Sequence, residues 1–200
     1  STSRRQRQMC IRDSISTSFF KFYNIFIVWI LSYCINWLGM PLIQTYIITI
    51  IACIFKIPFT LFGGWCAQKL GNTRTFVIGA LASAVLSIPT LKVIELSKGN
   101  LAITIIGIVL GWSIAYNLIW AVISSLWSSY FETEVRYSGI SFVYHVPSFL
   151  VAGMVPTICT LLINYGKGDT IYVGIYSTVV ALISAACALA LKARHDRGEK

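Results

Sequence analysis

Six apolar stretches, each near or above the ~20 residues that an α-helix needs to cross a hydrocarbon core about 30 Å thick, leave this chain few ways to fold. They run over about 19–38, 42–65, 76–94, 101–125, 139–163 and 170–191. A soluble domain is about 45–50% apolar. Here the share is 56%, with only 12% charged residues and a mean hydropathy of +0.75. Runs this continuously apolar lack the in–out alternation of membrane β-strands, so the expectation is an all-α membrane protein with six transmembrane helices. The fifth stretch has the sharpest edge. Glu132, Glu134 and Arg136 stand at its mouth, and from Tyr137 to Gly166 no Asp, Glu, Lys or Arg follows, only His145. Pro147 and Pro156 would break a soluble helix, but a packed membrane bundle satisfies the backbone groups that they free.

The formal net charge of +9 is spread along the chain, as topology demands, and is not gathered as a nucleic-acid surface would be. Lys21, Lys69, Arg74, Arg136, Lys192, Arg194, Arg197 and Lys200 fall on one side of an even number of crossings. Lys92, Lys98 and Lys167 fall on the other. The richer side is expected to be cytoplasmic, which puts the protein in the cell (inner) membrane with both ends of this chain inside. Of the six cysteines, Cys34, Cys53, Cys159 and Cys187 lie in apolar stretches and none forms a C-x-x-C pair. They read as small core residues, with no metal site or disulfide framework. Residues 1–14, STSRRQRQMCIRDS, are polar and basic and read as a non-native sequencing remnant, leaving 15–200 as the folded unit. The bland alternative is a basic cytoplasmic loop.

Polar and small residues recur at helical spacing along these stretches. Thr45, Thr49, Ala52, Lys56 and Thr60 make one face of the second helix, which should point into the bundle. A lysine within a span is costly unless it snorkels, pairs or meets water. With about two turns between Lys56 and the rim, snorkelling is the favoured expectation. Gly79, Ala80, Ser83, Ala84 and Ser87 on the third helix and Gly107-x-x-x-Gly111 on the fourth are helix-packing signals. The fourth helix adds Ser113, Asn117, Trp120 and Ser124, with Trp112 and Tyr116 beside them. That face suits either a small polar solute or interhelical hydrogen bonding. On the fifth, Ser141, His145, Ser148 and Ala152 form a further stripe. His145 is a candidate for proton exchange, because imidazoles titrate near neutral pH, with a histidine satisfied by a neighbour as the alternative.

Two segments resemble the major facilitator superfamily. GGWCAQKLGNTRTF, after the second helix, keeps Gly64, Ala67, Lys69 and Gly71 of the family's loop motif, but has Gln68 for its acid and Asn72 and Thr73 for its basic residues. A weaker cytoplasmic latch is therefore expected, since glutamine only hydrogen-bonds. Phe131-x-Thr133-x-Val135-Arg136-Tyr137-Ser138-Gly139-x-Ser141 is similar to the segment between the tenth and eleventh helices of the metabolite:proton symporter branch, the relatives of proline/betaine, shikimate and oxoglutarate transporters. Ser129 and Glu132 depart from that pattern. The resemblance implies the C-terminal six-helix half of a twelve-helix fold, working with a missing N-terminal half. It implies a secondary transporter, without cofactor, that moves a small organic acid, zwitterion or osmolyte with protons by alternating access. The solute or proton pathway would use His145, Asn117, Tyr116, Trp120, Ser113, Ser141 and Lys56. Cytoplasmic gating would use Gly64, Gln68, Lys69, Gly71, Glu132, Glu134, Arg136 and Gly139.

No enzyme constellation competes: G-x-S-x-G, H-E-x-x-H and a Walker loop are all absent from the sequence. The remaining alternative is a six-helix membrane scaffold or assembly subunit that uses its small-residue faces to bind another protein.

Overall fold

The computed structural model describes residues 25–130, Tyr137, Ile140, Ser141, His145 and residues 153–196, and among these every regular element is helical. A π-helical turn at Ile25–Trp29 leads into α1 (Ile30–Asn36). Next come α2 (Leu42–Leu70) and α3 (Asn72–Leu96). α4 (Leu101–Ile108) runs through a π-helical segment, Val109–Ala115, into α5 (Tyr116–Tyr130). α6 (Val155–Tyr165) and α7 (Ile171–Asp196) complete the described chain. Among the described residues four runs are long and apolar enough to cross a membrane: Leu42–Leu70, Asn72–Leu96, Leu101–Leu126 and Ile171–Ala190.

Three boundaries differ from those expected, each for a local reason. The stretch expected to be a loop after the second helix is almost wholly helical. α2 continues through Ala67, Gln68, Lys69 and Leu70, all good helix formers, and Gly71 alone separates it from α3. Gly71 has φ +86°, which glycine adopts without the steric cost that other residues meet. The consequence for Lys56 is direct. It sits midway along α2, not two turns from the rim.

The fifth stretch, expected to be continuous over 139–163, turns at residues 153–154. α6 begins only at Val155, with Pro156 in its first turn, where a missing N–H costs nothing. At 11 residues α6 is too short to cross a bilayer by itself. Of the first expected span, 19–38, the described part is helical from Ile25 to Asn36.

Close backbone approach holds the helices together, as it must where lipid offers apolar surface as good as protein. The most extensive packing among described elements joins α3 to α7. Gly79, Ala80, Ser83, Ala84 and Ser87 of α3 are all buried. A Cβ on Gly174 would lie 2.9 Å from Ile88 Cγ1, and one on Gly79 the same distance from Ile119 Cγ1 of α5. Ser87 Oγ and Thr178 Oγ1 share a hydrogen bond of 2.8 Å, and Thr178 Oγ1 also donates to Ala84 O. Towards the outside, Ile43, Ile57 and Leu61 of α2 and Val85 of α3 are exposed, as lipid-facing residues are.

Polar contacts bring three turns to one end of the bundle. Lys92 Nζ lies 2.7 Å from Asp169 Oδ1, which ties the end of α3 to the turn before α7. Glu95 Oε2 accepts from both the N–H and the hydroxyl of Thr170. Gly168 faces the ring of Trp37, and Gly99 faces the carbonyl of Leu38. Turns 37–41, 97–100 and 166–170 therefore lie together. The Gly71 turn lies at the opposite end of α3, where Asn72 Nδ2 donates to Ser125 Oγ of α5 at 2.7 Å.

Candidate functional site

The side chains with most chemistry meet where α2 faces the π-helical segment and α5. Gly63 allows the approach. A Cβ there would stand 2.8 Å from Ala121 Cβ and 3.3 Å from Asn117 O. Further along the same interface, Ser113 Oγ donates to Ala52 O of α2 at 2.9 Å. Asn117 Nδ2 donates to Ser113 O at 2.8 Å and reaches Lys56 O at 3.3 Å. Thr60 Oγ1 donates to the same Lys56 carbonyl, at 2.8 Å.

Lys56 directs its ammonium across to the partner helix. Nζ stands 4.6 Å from the ring centroid of Trp112 and 6.0 Å from that of Trp120. Trp112 is buried, while Trp120 is 40% exposed, so the ammonium lies between an inner and an outer indole. Tyr116, also buried, is tilted against Trp120 with centroids 6.4 Å apart. A lysine at mid-bilayer costs about 2.5–3.5 kcal/mol on insertion scales. Contact with an aromatic face returns about 0.5–2 kcal/mol, so the rings offset a substantial part of that cost. Spacing alone gave the polar face of α2 but not this contact with the two rings.

Asn117 is fully buried, and its Oδ1 accepts no hydrogen bond among the described residues. A buried acceptor left unsatisfied costs about 1–3 kcal/mol. The segment carrying Trp112 and Ser113 is π-helical, a geometry that recurs at functional sites because it re-aims side chains at the expense of regular hydrogen bonding. Together these groups form a polar and aromatic cluster at mid-helix with one positive charge. Among the described residues no group of three His, Cys, Asp or Glu is arranged to hold a metal ion, and the described cysteines are free thiols.

Comparison with known proteins points the same way. The chain is 30% identical over 128 residues, 64% of its length, to the "Shikimate transporter" of Escherichia coli, of which it covers 29%. It is 32% identical over 135 residues, 66% of its length, to the "Inner membrane metabolite transport protein YhjE" of the same organism, covering 30% of that protein. To a "Putative proline/betaine transporter" of Staphylococcus haemolyticus it is 25% identical over 168 residues, 81% of its length and 35% of the relative's. The chain is a relative of the major facilitator transporters. No family model and no solved structure matches it. It spans about a third of the length of the curated relatives that it matches.

In this transporter relative, Lys56, Ser113, Asn117 and Trp120 come together, with Tyr116 packed behind Trp120. Ser141 and His145 are helical, the first half-buried and the second exposed, and neither contributes one of the contacts described above. Glu132, Glu134, Arg136 and Gly139 lie outside the described residues. Gly64 and Gln68 occupy the last turns of α2, and Lys69 holds its ammonium 4.2 Å from the ring centroid of Trp65.

Two polar ties escaped sequence reasoning. Asn72, read as a loss from the loop motif, forms the link to Ser125, and the Lys92–Glu95–Asp169 group joins two helices far apart in sequence. Clustered opposite charges in two turns were the only signal for the second. In that group Lys92, and then the N–H of Ile171, hold the Asp169 carboxyl below its ordinary range.

Proposed function

We propose that this chain forms helices seven to twelve of a twelve-helix secondary transporter in the cell (inner) membrane, with both of its ends cytoplasmic. It carries a small organic acid, zwitterion or osmolyte together with a proton. The observation that carries this reading is the mid-span cluster of Lys56, Trp112, Asn117 and Trp120, which gathers one cation, an amide and two indoles from two elements. The gathering of turns 37–41, 97–100 and 166–170 at one end supports antiparallel spans beyond the four long ones. The other six-helix half supplies the opposing wall of the site, and the two halves rock about the solute to expose it to each side in turn.

The cytoplasmic closure uses Gly64, Gln68, Lys69 and Gly71 at the α2–α3 turn together with Glu132, Glu134, Arg136 and Gly139, and the Asn72–Ser125 bond braces it. His145 passes the coupled proton, an ability that imidazole has near neutral pH. The test is uptake by the complete protein in liposomes, with radiolabelled shikimate, proline and betaine under an acid-outside gradient. Accumulation that a protonophore abolishes is expected, and no accumulation of any of the three would sink the reading. His145→Ala should lower gradient-driven uptake more than solute exchange. Equal losses would remove histidine from the proton path.

A further inference from the structure

We propose that this bundle bends at one transverse layer near mid-membrane, so that the cytoplasmic segments of α2, α3 and α5 swing as a block while α7 stays straight. This adds a bend inside the half to the rocking of the two halves proposed above, and it rests on that reading only for its place in transport.

Four interruptions of regular helix carry the proposal, and they share a depth. Pro58 lies inside α2 and Pro89 inside α3, so the carbonyls of Ile54 and Val85 meet no backbone N–H four residues on. The segment Val109–Ala115 between α4 and α5 is π-helical, and so is the turn Ile25–Trp29 before α1. Prolines and π-helical turns are where helices kink. At a rise of about 1.5 Å per residue, all four breaks lie about 10–24 Å from the end that gathers turns 37–41, 97–100 and 166–170, near the middle of a core about 30 Å thick. By contrast α7 runs unbroken from Ile171 to Asp196 and contains no proline.

Contacts set the breaks level with one another. Ser113 Oγ, in the π-helical segment, donates to Ala52 O, and Asn117 Nδ2 reaches Lys56 O, the two α2 carbonyls that flank Ile54. A Cβ on Gly107, just ahead of that segment, would lie 3.5 Å from the carbonyl oxygen of Thr90, next to Pro89. The ties of α3 also change partner at this layer. On one side Ser87, Ile88 and Lys92 hold α7, through Thr178, Gly174 and Asp169. On the other, towards the Gly71 turn, Gly79 packs on Ile119 and Asn72 bonds Ser125, both of α5, and α5 in turn takes Gly63 of α2 against Ala121. The result is two blocks with a break layer between them. A bend of about 20° at Pro58, acting over the ~18 Å from there to Leu70, moves that end by about 6 Å.

The experiment uses the complete protein in liposomes, without its native cysteines, with spin labels on paired cysteines that replace exposed residues. Leu70→Cys with Leu189→Cys spans the cytoplasmic ends of α2 and α7, and Leu42→Cys with Tyr172→Cys spans their opposite ends. Distances are read by pulsed electron resonance at neutral and acidic pH, with and without shikimate, proline and betaine. The first pair should take two distances about 6 Å apart, and the second should keep one. Pro58→Ala combined with Pro89→Ala should merge the two distances into one and slow solute exchange about tenfold or more, with the melting midpoint held or raised. Should that variant fail to fold, the distances in the parent decide. One unchanging distance for the first pair, in a protein that accumulates solute, overturns the bend and leaves rigid rocking. So does undiminished exchange by the double-proline variant. Two distances in a protein that accumulates none of the probes keep the bend and sink the transporter reading, and one distance with no uptake overturns both.

Discussion

Gly63 and Gly64 are adjacent in sequence and opposite in surroundings. A Cβ on Gly63 would stand 2.8 Å from Ala121 Cβ, with the α5 backbone just behind, whereas one on Gly64 meets nothing within 4 Å. Overpacking of this kind costs about 1–3 kcal/mol, because neither helix can yield a side-chain end. Gly63→Ala should therefore lower the thermal unfolding midpoint in detergent, and Gly64→Ala should hold or raise it through better helix propensity. A Gly63→Ala protein melting at or above the parent would show that α2 and α5 are not locked at this point. The sequence presents the two glycines as one pair. Only the approach of α5 tells them apart. The same holds for Lys56, since its place on the polar face of α2 is legible from spacing, but its embrace by Trp112 and Trp120 depends on which helix lies opposite.

Between elements, the tie from α3 to α7 depends on charge at its outer end. Asp169 Oδ1 accepts from Lys92 Nζ at 2.7 Å and from the N–H of Ile171 at 2.8 Å. Both contacts favour the charged carboxylate, Lys92 more than the N–H, so the folded pKa lies below the ordinary 3.8. For a depressed carboxylate the stabilisation is fully present above the unfolded value. It fades as pH falls through the folded one. Asp169→Asn keeps an oxygen to cap Ile171 and removes only the charge. Its melting midpoint should trail the parent's above about pH 4, and the two should converge as the solution is made more acidic. A constant gap across that range would assign the difference to packing. Helix existence was legible here from apolar length, but the ends of α2, α3 and α6 were not. Polar residues around Gln68 read as a loop until their helix propensity and the Gly71 turn are weighed together, and Pro156 read as a mid-span interruption when it opens a new helix.

At the scale of the molecule, sidedness decides how the parts can work. The turn at Gly71 and the turns holding Lys98 and Lys167 lie at opposite ends of α3, which follows from the Asn72–Ser125 bond at one end and the Lys92–Asp169 bond at the other. The second end mixes its lysines with Glu95 and Asp169, whereas Lys69 and Arg74 at the first have no acidic residue near them in sequence. In the proposed orientation the end with Lys69 and Arg74 is the cytoplasmic one. Single cysteines at Lys69 and at Lys167, each in a background without the native cysteines, should accordingly react with a membrane-impermeant maleimide from opposite sides. In intact cells Lys167→Cys should label and Lys69→Cys should not, and in inverted vesicles the pattern should reverse. Labelling of both from one side would break the antiparallel arrangement of α3 in a bilayer. It would also remove the basis for placing Lys56 at mid-membrane, because that depth follows only if α2 crosses from the end near Pro41 to the end at Gly71.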